Sequence, residues 1–476
     1  MSDCCAQMGD GRFDLIVVGA GSAGFSAAIT AAEQGAQVAL IGHGTIGGTC
    51  VNIGCVPSKT IIRAVETVHH ANAAPRRFAG MEASGRVADW AAQVAQKNAL
   101  VAGLRQAKYA DLLPAYNTIT YQEGAARLIE GGVEVGGQEL RSARVLITTG
   151  ARPSIPAIPG LAALKPLDST TALAMTYLPR SLIVVGGGYI GAELAQTFAR
   201  AGVAVALVFR SRLLPAAELE IGDALARYLA DEGITIIGGV AYESAHATEA
   251  GGIALKIIRH GRTETLSADR LLVATGRTPN TEGLGLAGAG LALTPSGAIL
   301  VDDRMRTSKL GVYAAGDVTG RDQLVYMAAY GAKLAAKNAL NGDSLRYDNA
   351  AMPAVVFTDP QVASVGLTEA EARAAGHEVR TTVLTLDNLP RALAARDTRG
   401  LIKLVADGVT RKLLGAHILA PEGADSIQTA ALALRAGLTI DELAETIFPY
   451  LTTVEGLKLA AQTFDRDVAM LSCCAE

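Results

Sequence analysis

The sequence contains no apolar run long enough to cross a membrane, and its first ten residues lack the hydrophobic stretch of a secretory signal peptide. The 476 residues carry a net charge of only −4, which argues against nucleic acid as a partner. Cysteine is scarce, with six residues, so a framework of structural disulfides is not expected. These absences predict a cytoplasmic protein whose few cysteines serve catalysis or metal binding.

The cysteines that are present occur in close pairs. Cys50 and Cys55 lie in a glycine-rich segment, and Cys473 and Cys474 are adjacent near the end of the chain. A third pair, Cys4 and Cys5, lies in residues 1–10, which we expect to be a flexible segment without a role. One dithiol in a folded motif and one on a tail predict an enzyme that passes a thiol-seeking substrate between them.

A strand–turn–helix pattern near the start of the chain is typical of a nucleotide-binding unit. The apolar run from Phe13 to Val18 predicts a buried parallel strand. It leads into Gly19-Ala-Gly-Ser-Ala-Gly24, an alanine-rich helical stretch to about Gln34, and a strand from Gln37 to Ile41. The first glycine permits the tight turn, the second lets the backbone approach a pyrophosphate, and the third lets helix pack on strand. The pattern predicts a dinucleotide site.

The same pattern recurs later, which implies a second dinucleotide. A strand from Ser181 to Val185 is followed by Gly186-Gly-Gly-Tyr-Ile-Gly191, a helix, and a strand that ends at Phe209. Arg210 and Arg212 come next, with no carboxylate. An acidic residue there would bind a free ribose 2′-hydroxyl, whereas arginine accommodates a 2′-phosphate. The second unit is therefore predicted to bind NADPH rather than NADH; the alternative is that both arginines belong to a solvated loop.

The first unit lacks the acidic residue that normally ends its second strand. Gly42 and His43 occupy that place, and a glycine removes the side-chain contact to the adenosine ribose. Either His43, a backbone group or water replaces this contact, or the nucleotide is held less tightly, and the sequence leaves these alternatives open. If the lost contact matters, Gly42→Glu should tighten retention of the nucleotide.

The rest of the chain predicts the domain organisation. Arg144 to Gly150 and Leu271 to Gly276 read as strands at which the chain crosses between the two nucleotide domains. After Ala351, antiparallel strands and then helices indicate a separate α+β domain. The predicted fold is α/β, with two Rossmann-like dinucleotide-binding domains and a C-terminal α+β domain. The predicted domains comprise residues 11–150 with 277–347, residues 151–276, and residues 348–476.

The segment around the first cysteine pair resembles a known family. Gly47-Gly-Thr-Cys-Val-Asn-Ile-Gly-Cys-Val-Pro-Ser-Lys59 is similar to the redox-disulfide motif of the pyridine nucleotide-disulfide oxidoreductases. The resemblance covers nearly the whole chain and includes both glycine motifs and Tyr313-Ala-Ala-Gly-Asp317. Within the family, Ala107-Lys-Tyr109, Phe448 to Lys458 and the terminal Leu-Ser-Cys-Cys resemble the branch that reduces mercury ions.

This resemblance implies cofactors, a partner and site residues. It implies FAD in the first unit, NADPH in the second, and a homodimer formed by the C-terminal domain, with active sites shared between subunits. The residues implied at the FAD are Gly19, Gly21, Gly24, Gly44, Thr49, Lys59, Ala126, Asp317 and Val325. The residues implied at the NADPH are Gly186, Gly188, Gly191, Arg210 and Arg212, and Gly276, Tyr189 and Glu193 are further residues implied at the cofactors. Tyr189 would shield the flavin, and Glu193 would pair with Lys59.

The predicted metal-binding groups, which are also catalytic, are Cys50, Cys55, Cys473 and Cys474. Cys50 and Cys55 lie near the start of a predicted helix, whose N-terminus favours the thiolate that a soft metal ion needs. By resemblance, Cys55 lies against the flavin and Cys50 faces the substrate. Adjacent cysteines form a strained, easily reduced disulfide. Cys473 and Cys474 are therefore predicted to collect Hg(II) from small-thiol complexes and deliver it to the other subunit, where it is reduced to Hg(0).

A missing histidine separates this reaction from disulfide reduction. The family's disulfide reductases use a histidine near the C-terminus as proton donor, whereas here Tyr450 stands at that place, with Glu455 retained, and no histidine follows His417. A tyrosine, with a pKa of about 10, is a poor general acid at neutral pH, but metal exchange between thiolates needs no proton donor. Tyr450 and Tyr109 are predicted to orient the metal–thiolate complex, although an ordinary helix position explains Tyr109 equally well.

Two alternatives remain open. A glutathione- or dihydrolipoamide-type disulfide reductase would oxidise NADPH with an organic disulfide and without metal. A mercury-binding flavoprotein without turnover would retain the ion and release no vapour. Residues 1–10 are too short for the Cys-x-x-Cys metal-binding module of many relatives, so Hg(II) is expected to come from small thiols or another protein.

Overall fold

The computed structural model describes residues 12–470, so the cysteine pairs at both ends of the chain lie outside the described residues. The chain divides into two compact units, each assembled from three separate stretches. The first unit comprises Met1–Ser58, Val94–Ser154 and Gly276–Asp348, and the second comprises Lys59–Gln93, Ile155–Thr275 and Asn349–Glu476. The division into three domains stays a prediction.

The described residues form both strands and helices, as an α/β fold requires. In chain order the strands are β1 (Leu15–Val18), β2 (Val38–Gly42), β3 (Ile119–Glu123), β4 (Ala126–Ile129), β5 (Gly132–Val135), β6 (Gln138–Arg141), β7 (Val145–Ile147), β8 (Ala151–Pro153), β9 (Ser181–Val185), β10 (Ala204–Val208), β11 (Thr235–Ile237), β12 (Ala241–Ala247), β13 (Ile253–Arg259), β14 (Arg262–Ala268), β15 (Arg270–Val273), β16 (Arg277–Pro279), β17 (Val312–Ala314), β18 (Ala354–Val356), β19 (Gln361–Gly366), β20 (Val379–Thr385), β21 (Leu401–Asp407) and β22 (Leu413–Ala420). The helices are α1 (Ser22–Ala32), α2 (Gly48–Ile53), α3 (Cys55–Arg77), α4 (Trp90–Arg105), α5 (Ser169–Ala174), α6 (Tyr189–Arg200), α7 (Leu219–Asp231), α8 (Val325–Asn341), α9 (Glu369–Ala374), α10 (Pro390–Ala395), α11 (Gly423–Ala436), α12 (Ile440–Glu445) and α13 (Glu455–Gln462). Among residues 12–470, no helix is both long and apolar enough to cross a membrane.

The first unit is built on a parallel sheet with the strand order β17-β7-β1-β2-β3. All residues of β1 and β2 are buried, because the sheet is covered on both faces. Leu15 and Val17 belong to a core cluster with alanines of α1 and α8. Ile16 and Val18 point to the opposite face, in a cluster with residues of β4, β5 and β6. The predicted first strand–turn–helix pattern is confirmed, and its glycine turn lies where β1 ends.

The second unit contains a second parallel sheet, β11-β10-β9-β15, and a five-stranded antiparallel sheet, β18-β19-β22-β21-β20. The strand–helix–strand pattern after Ser181 is therefore confirmed, and so are the antiparallel strands and helices predicted after Ala351. The antiparallel sheets β4-β5-β6 and β12-β13-β14 were not predicted. In the first unit, β8 and β16 pair with each other, so the two segments that follow the predicted crossings lie side by side.

A buried network of ion pairs holds the end of α6 in the second unit. The Arg200 guanidinium, whose side chain is only 5% exposed, lies 2.6 Å from Glu232 Oε1 and 2.8 Å from Asp359 Oδ2. Arg399 Nη2 lies 3.2 Å from the other Asp359 oxygen. Although burial opposes ionisation of Asp359, the guanidiniums of Arg200 and Arg399 lower its pKa to about 2. Both arginines thus favour the charged form of this buried carboxylate.

Candidate active site

The first glycine motif shows which glycines the protein needs for its own packing. A Cβ on Gly19 would lie 2.4 Å from the Thr148 carbonyl oxygen, and one on Gly24 would lie 1.7 Å from the Gly19 carbonyl oxygen. Both glycines therefore allow the close approach of backbones. Gly21 differs, because a Cβ there would lie 3.6 Å from the nearest atom, Gly48 Cα, and its φ of −90° suits any residue. A ligand close to the backbone explains the glycine at position 21.

In the second glycine motif, too, two glycines are needed for close packing and one has space beside it. A Cβ would lie 2.3 Å from the Ala274 carbonyl oxygen at Gly186 and 1.9 Å from the Gly186 carbonyl oxygen at Gly191. At Gly188 it would meet nothing within 4 Å. Gly21 and Gly188 each precede a helix that has no side-chain cap, so the first N–H groups of α1 and α6 remain available to an anion. Both motifs thus fit the pyrophosphate of a dinucleotide.

The cysteine segment contacts the first glycine loop directly. The Gly47 N–H donates to the Ala20 carbonyl oxygen over 2.9 Å, and a Cβ on Gly48 would lie only 2.7 Å from Gly21 Cα. Asn52 then holds the start of α2, because its side-chain amide donates to the Ile46 and Gly48 carbonyl oxygens at 2.9 and 2.8 Å. The nucleotide loop and the dithiol segment are therefore positioned by the same contacts.

Gly54 brings the two cysteines of that segment together. Cys50 lies in α2, Cys55 is the first residue of α3, and both are half-buried. A Cβ on Gly54, between the two helices, would lie 2.9 Å from the Thr49 carbonyl oxygen and 3.3 Å from Cys50 Cα. A larger residue would push the end of α2 away from the start of α3. The glycine keeps Cys55 beside the turn that carries Cys50.

Lys59 and Glu193 form an ion pair in the second unit. Lys59 Nζ lies 2.7 Å from Glu193 Oε2 and 4.6 Å from the centre of the Phe357 ring. The second carboxylate oxygen of Glu193 accepts the Phe357 N–H over 2.9 Å. Tyr189, at the start of the same helix α6, is half-buried, and burial raises its pKa. The pairing of Glu193 with Lys59 expected from the sequence is therefore present.

The remaining residues expected at the FAD lie at the ends of strands and helices of the first unit. Asp317 is half-buried, and burial raises the pKa of its carboxyl, an effect that Arg277 opposes from 3.7 Å. Val325 is the first residue of α8, which also has no side-chain cap. Ala126 is buried in β4. Gly44 has positive φ, and Thr49 lies in the first turn of α2. Gly276, for which the sequence predicts cofactor binding without specifying the FAD, also has positive φ.

The two arginines expected at the NADPH differ in their surroundings. Arg212 donates to the carbonyl oxygens of Pro215 and Ala217 at 2.8 and 2.6 Å. Its guanidinium therefore holds the loop that follows β10. Arg210 is exposed. Of the two, Arg210 is therefore the better candidate to meet a 2′-phosphate.

The tyrosines expected to orient the metal complex have different environments. The Tyr109 hydroxyl lies 3.1 Å from Ser22 Oγ, and its ring packs edge-on against Phe25. Tyr450 is 48% exposed. Glu455 is buried, which raises its pKa, and its carboxylate accepts the N–H of Leu451 over 3.1 Å. Glu455 thus fixes the turn that carries Tyr450, while Tyr109 is tied to the first glycine loop.

Comparison with known proteins identifies the family. The model of the pyridine nucleotide-disulphide oxidoreductases matches residues 13–333, and the model of that family's dimerisation domain matches residues 352–461. The chain belongs to this family. As a member that carries the dimerisation domain, this oxidoreductase is expected to form a homodimer.

Similarity to individual proteins shows which members of the family this chain resembles. The chain is 45% identical to the mercuric reductase of Lysinibacillus sphaericus, over 99% of this chain and 86% of that protein. It is 44% identical to the mercuric reductase of Streptomyces lividans, over 97% of this chain and 98% of that protein. A solved structure of the Cu(II) complex of RclA, an HOCl-induced flavoprotein disulfide reductase from Escherichia coli, matches with a TM-score of 0.84 at 30% identity, over 95% of this chain and 99% of that chain.

Several residues that build the site were not found from the sequence. Asn52 and Gly54 lie inside the cysteine motif, but their contacts run to backbone atoms and leave no pattern of charge or hydropathy. Tyr121 lies on β3, far along the chain from Gly42, and covers that glycine. Thr148 donates to the Val18 and Gly19 carbonyl oxygens at 3.1 and 3.0 Å. The Thr-Thr-Gly sequence after β7 was the available signal for Thr148.

Proposed function

We propose that this chain is an NADPH-dependent flavoenzyme that reduces Hg(II) to Hg(0). The observation that carries the proposal is a dithiol segment fastened to a nucleotide-binding loop, in a chain that has Tyr450 where a disulfide reductase needs an imidazole. Its similarity to proteins named mercuric reductase, at 45% identity over nearly the full chain, supports the choice of substrate.

The nucleotide sites follow from the two glycine motifs. Gly21 and the start of α1 bind the pyrophosphate of FAD, in a turn whose close packing depends on Gly19 and Gly24. Gly188 and the start of α6 bind the pyrophosphate of NADPH, in a turn whose close packing depends on Gly186 and Gly191. Arg210 binds the 2′-phosphate, and Arg212 keeps the loop in place. When FAD and NADPH are bound, they would supply the two electrons that the dithiol site needs, which originate as a hydride of NADPH.

The dithiol binds the metal ion. Cys50 and Cys55 ligate Hg(II) as thiolates, since soft sulfur ligands suit a soft ion. Cys55, at the start of α3, is favoured as a thiolate by the helix N-terminus. Two electrons convert the bound Hg(II) to Hg(0), NADPH becomes NADP⁺ with release of one proton, and neutral mercury leaves because it has little affinity for thiolate. Each turnover therefore needs no proton donor at the dithiol.

The tail and the partner subunit complete the proposal. Cys473 and Cys474 take Hg(II) from small-thiol complexes and transfer it by ligand exchange to the dithiol of the other subunit. Tyr450 orients the metal–thiolate complex, and Glu455 positions the turn of Tyr450 through the Leu451 N–H. The residues Ile447, Tyr450 and Leu451 are all exposed in the single chain, which fits a surface that meets a second subunit.

An assay with several acceptors tests this function. Purified holoenzyme, NADPH and excess thiol are mixed with Hg(II), Cu(II) or glutathione disulfide, while NADPH absorbance and the loss of mercury to the gas phase are followed. We expect NADPH oxidation and mercury vapour in equal amounts with Hg(II), and little oxidation with the disulfide. Rapid oxidation by the disulfide alone would identify a disulfide reductase instead, and stoichiometric retention of mercury without vapour would identify a binding protein.

The double variant Cys473→Ala, Cys474→Ala tests delivery by the tail. With thiol in large excess, turnover of Hg(II) should fall by about 10-fold or more, because excess thiol competes with the dithiol for the ion. The flavin absorbance spectrum should not change. The matched control is Cys4→Ala, Cys5→Ala, which should retain wild-type turnover. Unchanged kinetics in the tail variant would refute delivery while leaving reduction at the dithiol intact.

A further inference from the structure

Gly42 ends strand β2, at the position where the first nucleotide unit lacks its usual acidic residue. The structure shows that the space above this glycine is occupied. A Cβ on Gly42 would lie 2.3 Å from Tyr121 Oη and 2.9 Å from the ring atoms Cε2 and Cζ. The glycine is therefore required by the phenol of Tyr121, and a side chain at position 42 would have to displace it.

The strand register explains how Tyr121 reaches this place. β3 runs parallel to β2, and Tyr121 is paired with Leu40. Residues that pair in a parallel ladder, and residues two positions further on, project to the same face of the sheet. Tyr121 and Gly42 thus share a face, and the tyrosine ring leans along the strand toward the carboxyl end of β2. Nucleotides bind at this edge of a parallel sheet, next to the glycine loop after β1.

The Tyr121 hydroxyl is chemically available. Among residues 12–470, no hydrogen bond joins it to another group, although its ring packs against the core cluster of α1 and α8. Partial burial raises the pKa of Tyr121, and the negative charge of Glu123 raises it further. The hydroxyl therefore stays protonated at neutral pH, and it can both donate and accept a hydrogen bond.

We propose that the Tyr121 hydroxyl replaces the missing carboxylate and hydrogen-bonds the adenosine ribose of the nucleotide bound in the first unit. A glutamate side chain at position 42 would extend two carbon–carbon bonds beyond its Cβ. Tyr121 Oη lies 2.3 Å from that Cβ position, so a hydrogen bond of about 2.8 Å from this oxygen reaches about as far as the glutamate carboxylate would. The inference rests on the proposed binding of FAD by this unit.

This assignment changes the expectation for Gly42→Glu. The glutamate Cβ would clash with the tyrosine ring, and the substitution would also displace the hydroxyl that now serves the ribose. The single variant should therefore bind FAD no more tightly than the wild type. The contact that the sequence leaves open is thus supplied by the neighbouring strand β3, not by His43, which is exposed.

Titration of apoprotein with FAD tests the inference, with quenching of flavin fluorescence as the readout. Tyr121→Phe keeps the ring above Gly42 and removes only the hydroxyl, so we expect the Kd for FAD to rise about 3- to 10-fold. FAD analogues that lack one hydroxyl of the adenosine ribose should bind the wild type more weakly by a similar factor. Tyr121→Phe should bind such an analogue and FAD with equal Kd, because the substitution and the missing ribose hydroxyl remove the same hydrogen bond.

Tyr116→Phe is the matched control, since Tyr116 lies just before β3, at the opposite end of that strand, and this variant should keep the wild-type Kd. Equal FAD affinity of Tyr121→Phe and wild type would overturn the inference, and so would an analogue penalty that persists in the variant. If wild-type apoprotein does not bind FAD at all, the proposed cofactor is wrong and the inference falls with it. Thermal unfolding of each apoprotein shows whether a change in Kd arises from misfolding.

Discussion

Replacing Cys55 with serine should lower Hg(II)-dependent NADPH oxidation by about 10³-fold or more, because a hydroxyl neither ligates a soft metal ion nor exchanges electrons with a flavin. The variant should still bind FAD, since Gly47 and Gly48, which contact the glycine loop, are unchanged. Cys50→Ser should have a comparable effect. Stopped-flow measurement of NADPH oxidation, with trapping of mercury vapour, gives both rates.

Ser58→Ala is the control for the cysteine variants. Its hydroxyl donates to the Cys55 carbonyl oxygen over 3.1 Å, so the substitution disturbs the same helical turn but leaves both thiols in place. We expect its rate to stay within about 3-fold of wild type, the effect of losing one local hydrogen bond. A Cys55→Ser variant that still releases mercury at the wild-type rate would show that the metal is reduced elsewhere.

Replacing Arg200 with methionine should cost about 3–5 kcal/mol of the free energy of unfolding, the range observed when one partner of a buried ion pair is removed. The methionine fills most of the volume but leaves Arg399 as the remaining guanidinium that pairs with both Glu232 and Asp359. The low pKa of Asp359, about 2, shows how strongly this carboxylate depends on its cations. Removing the arginine should therefore raise that pKa and weaken the unit at neutral pH.

The only tryptophan reports on this unit. Trp90 is buried, its indole donates to the Met175 carbonyl oxygen over 2.9 Å, and its ring lies 5.9 Å from that of Phe198 in α6. Urea unfolding followed by Trp90 fluorescence compares Arg200→Met with Arg180→Met. Arg180 also forms an ion pair, with Asp269, but its side chain is 92% exposed, so its loss should leave the midpoint unchanged. Equal midpoints for the two variants would contradict the stabilising role of the network.

The sequence predicted those parts of the fold whose signals are local. β1 and β9 are short apolar runs directly followed by a glycine turn, and the order of these residues alone specifies the strand–turn–helix geometry. The cysteine motif was equally readable. The sheets β4-β5-β6 and β12-β13-β14 were missed because four of their six strands, β5, β6, β13 and β14, alternate little between buried and exposed residues. Long-range pairing, not local pattern, decides such strands.

Contacts between distant segments account for what the sequence did not reveal about the site. Gly42 was interpreted as a lost contact because only its own position was considered, whereas its partner Tyr121 lies 79 positions later on a neighbouring strand. Arg210 and Arg212 looked equivalent, but the guanidinium of Arg212 is used by carbonyl groups of its own loop. The direction of a side chain depends on the surrounding fold, and residue type and spacing do not encode it.

The strand order of the first sheet also constrains how the protein emerges from the ribosome. β7 ends at Ile147, yet its outer neighbour β17 begins only at Val312. During synthesis of the intervening stretch, the outer edge of β7 has no strand to pair with. The strands β9, β10, β11 and β15 can already form their own sheet at this stage. An unpaired hydrophobic edge attracts strands of other chains, so the nascent protein is most vulnerable to aggregation until β17 has left the ribosome. Protease digestion of stalled chains in which β17 is still inside the ribosome, or already outside it, would reveal this window.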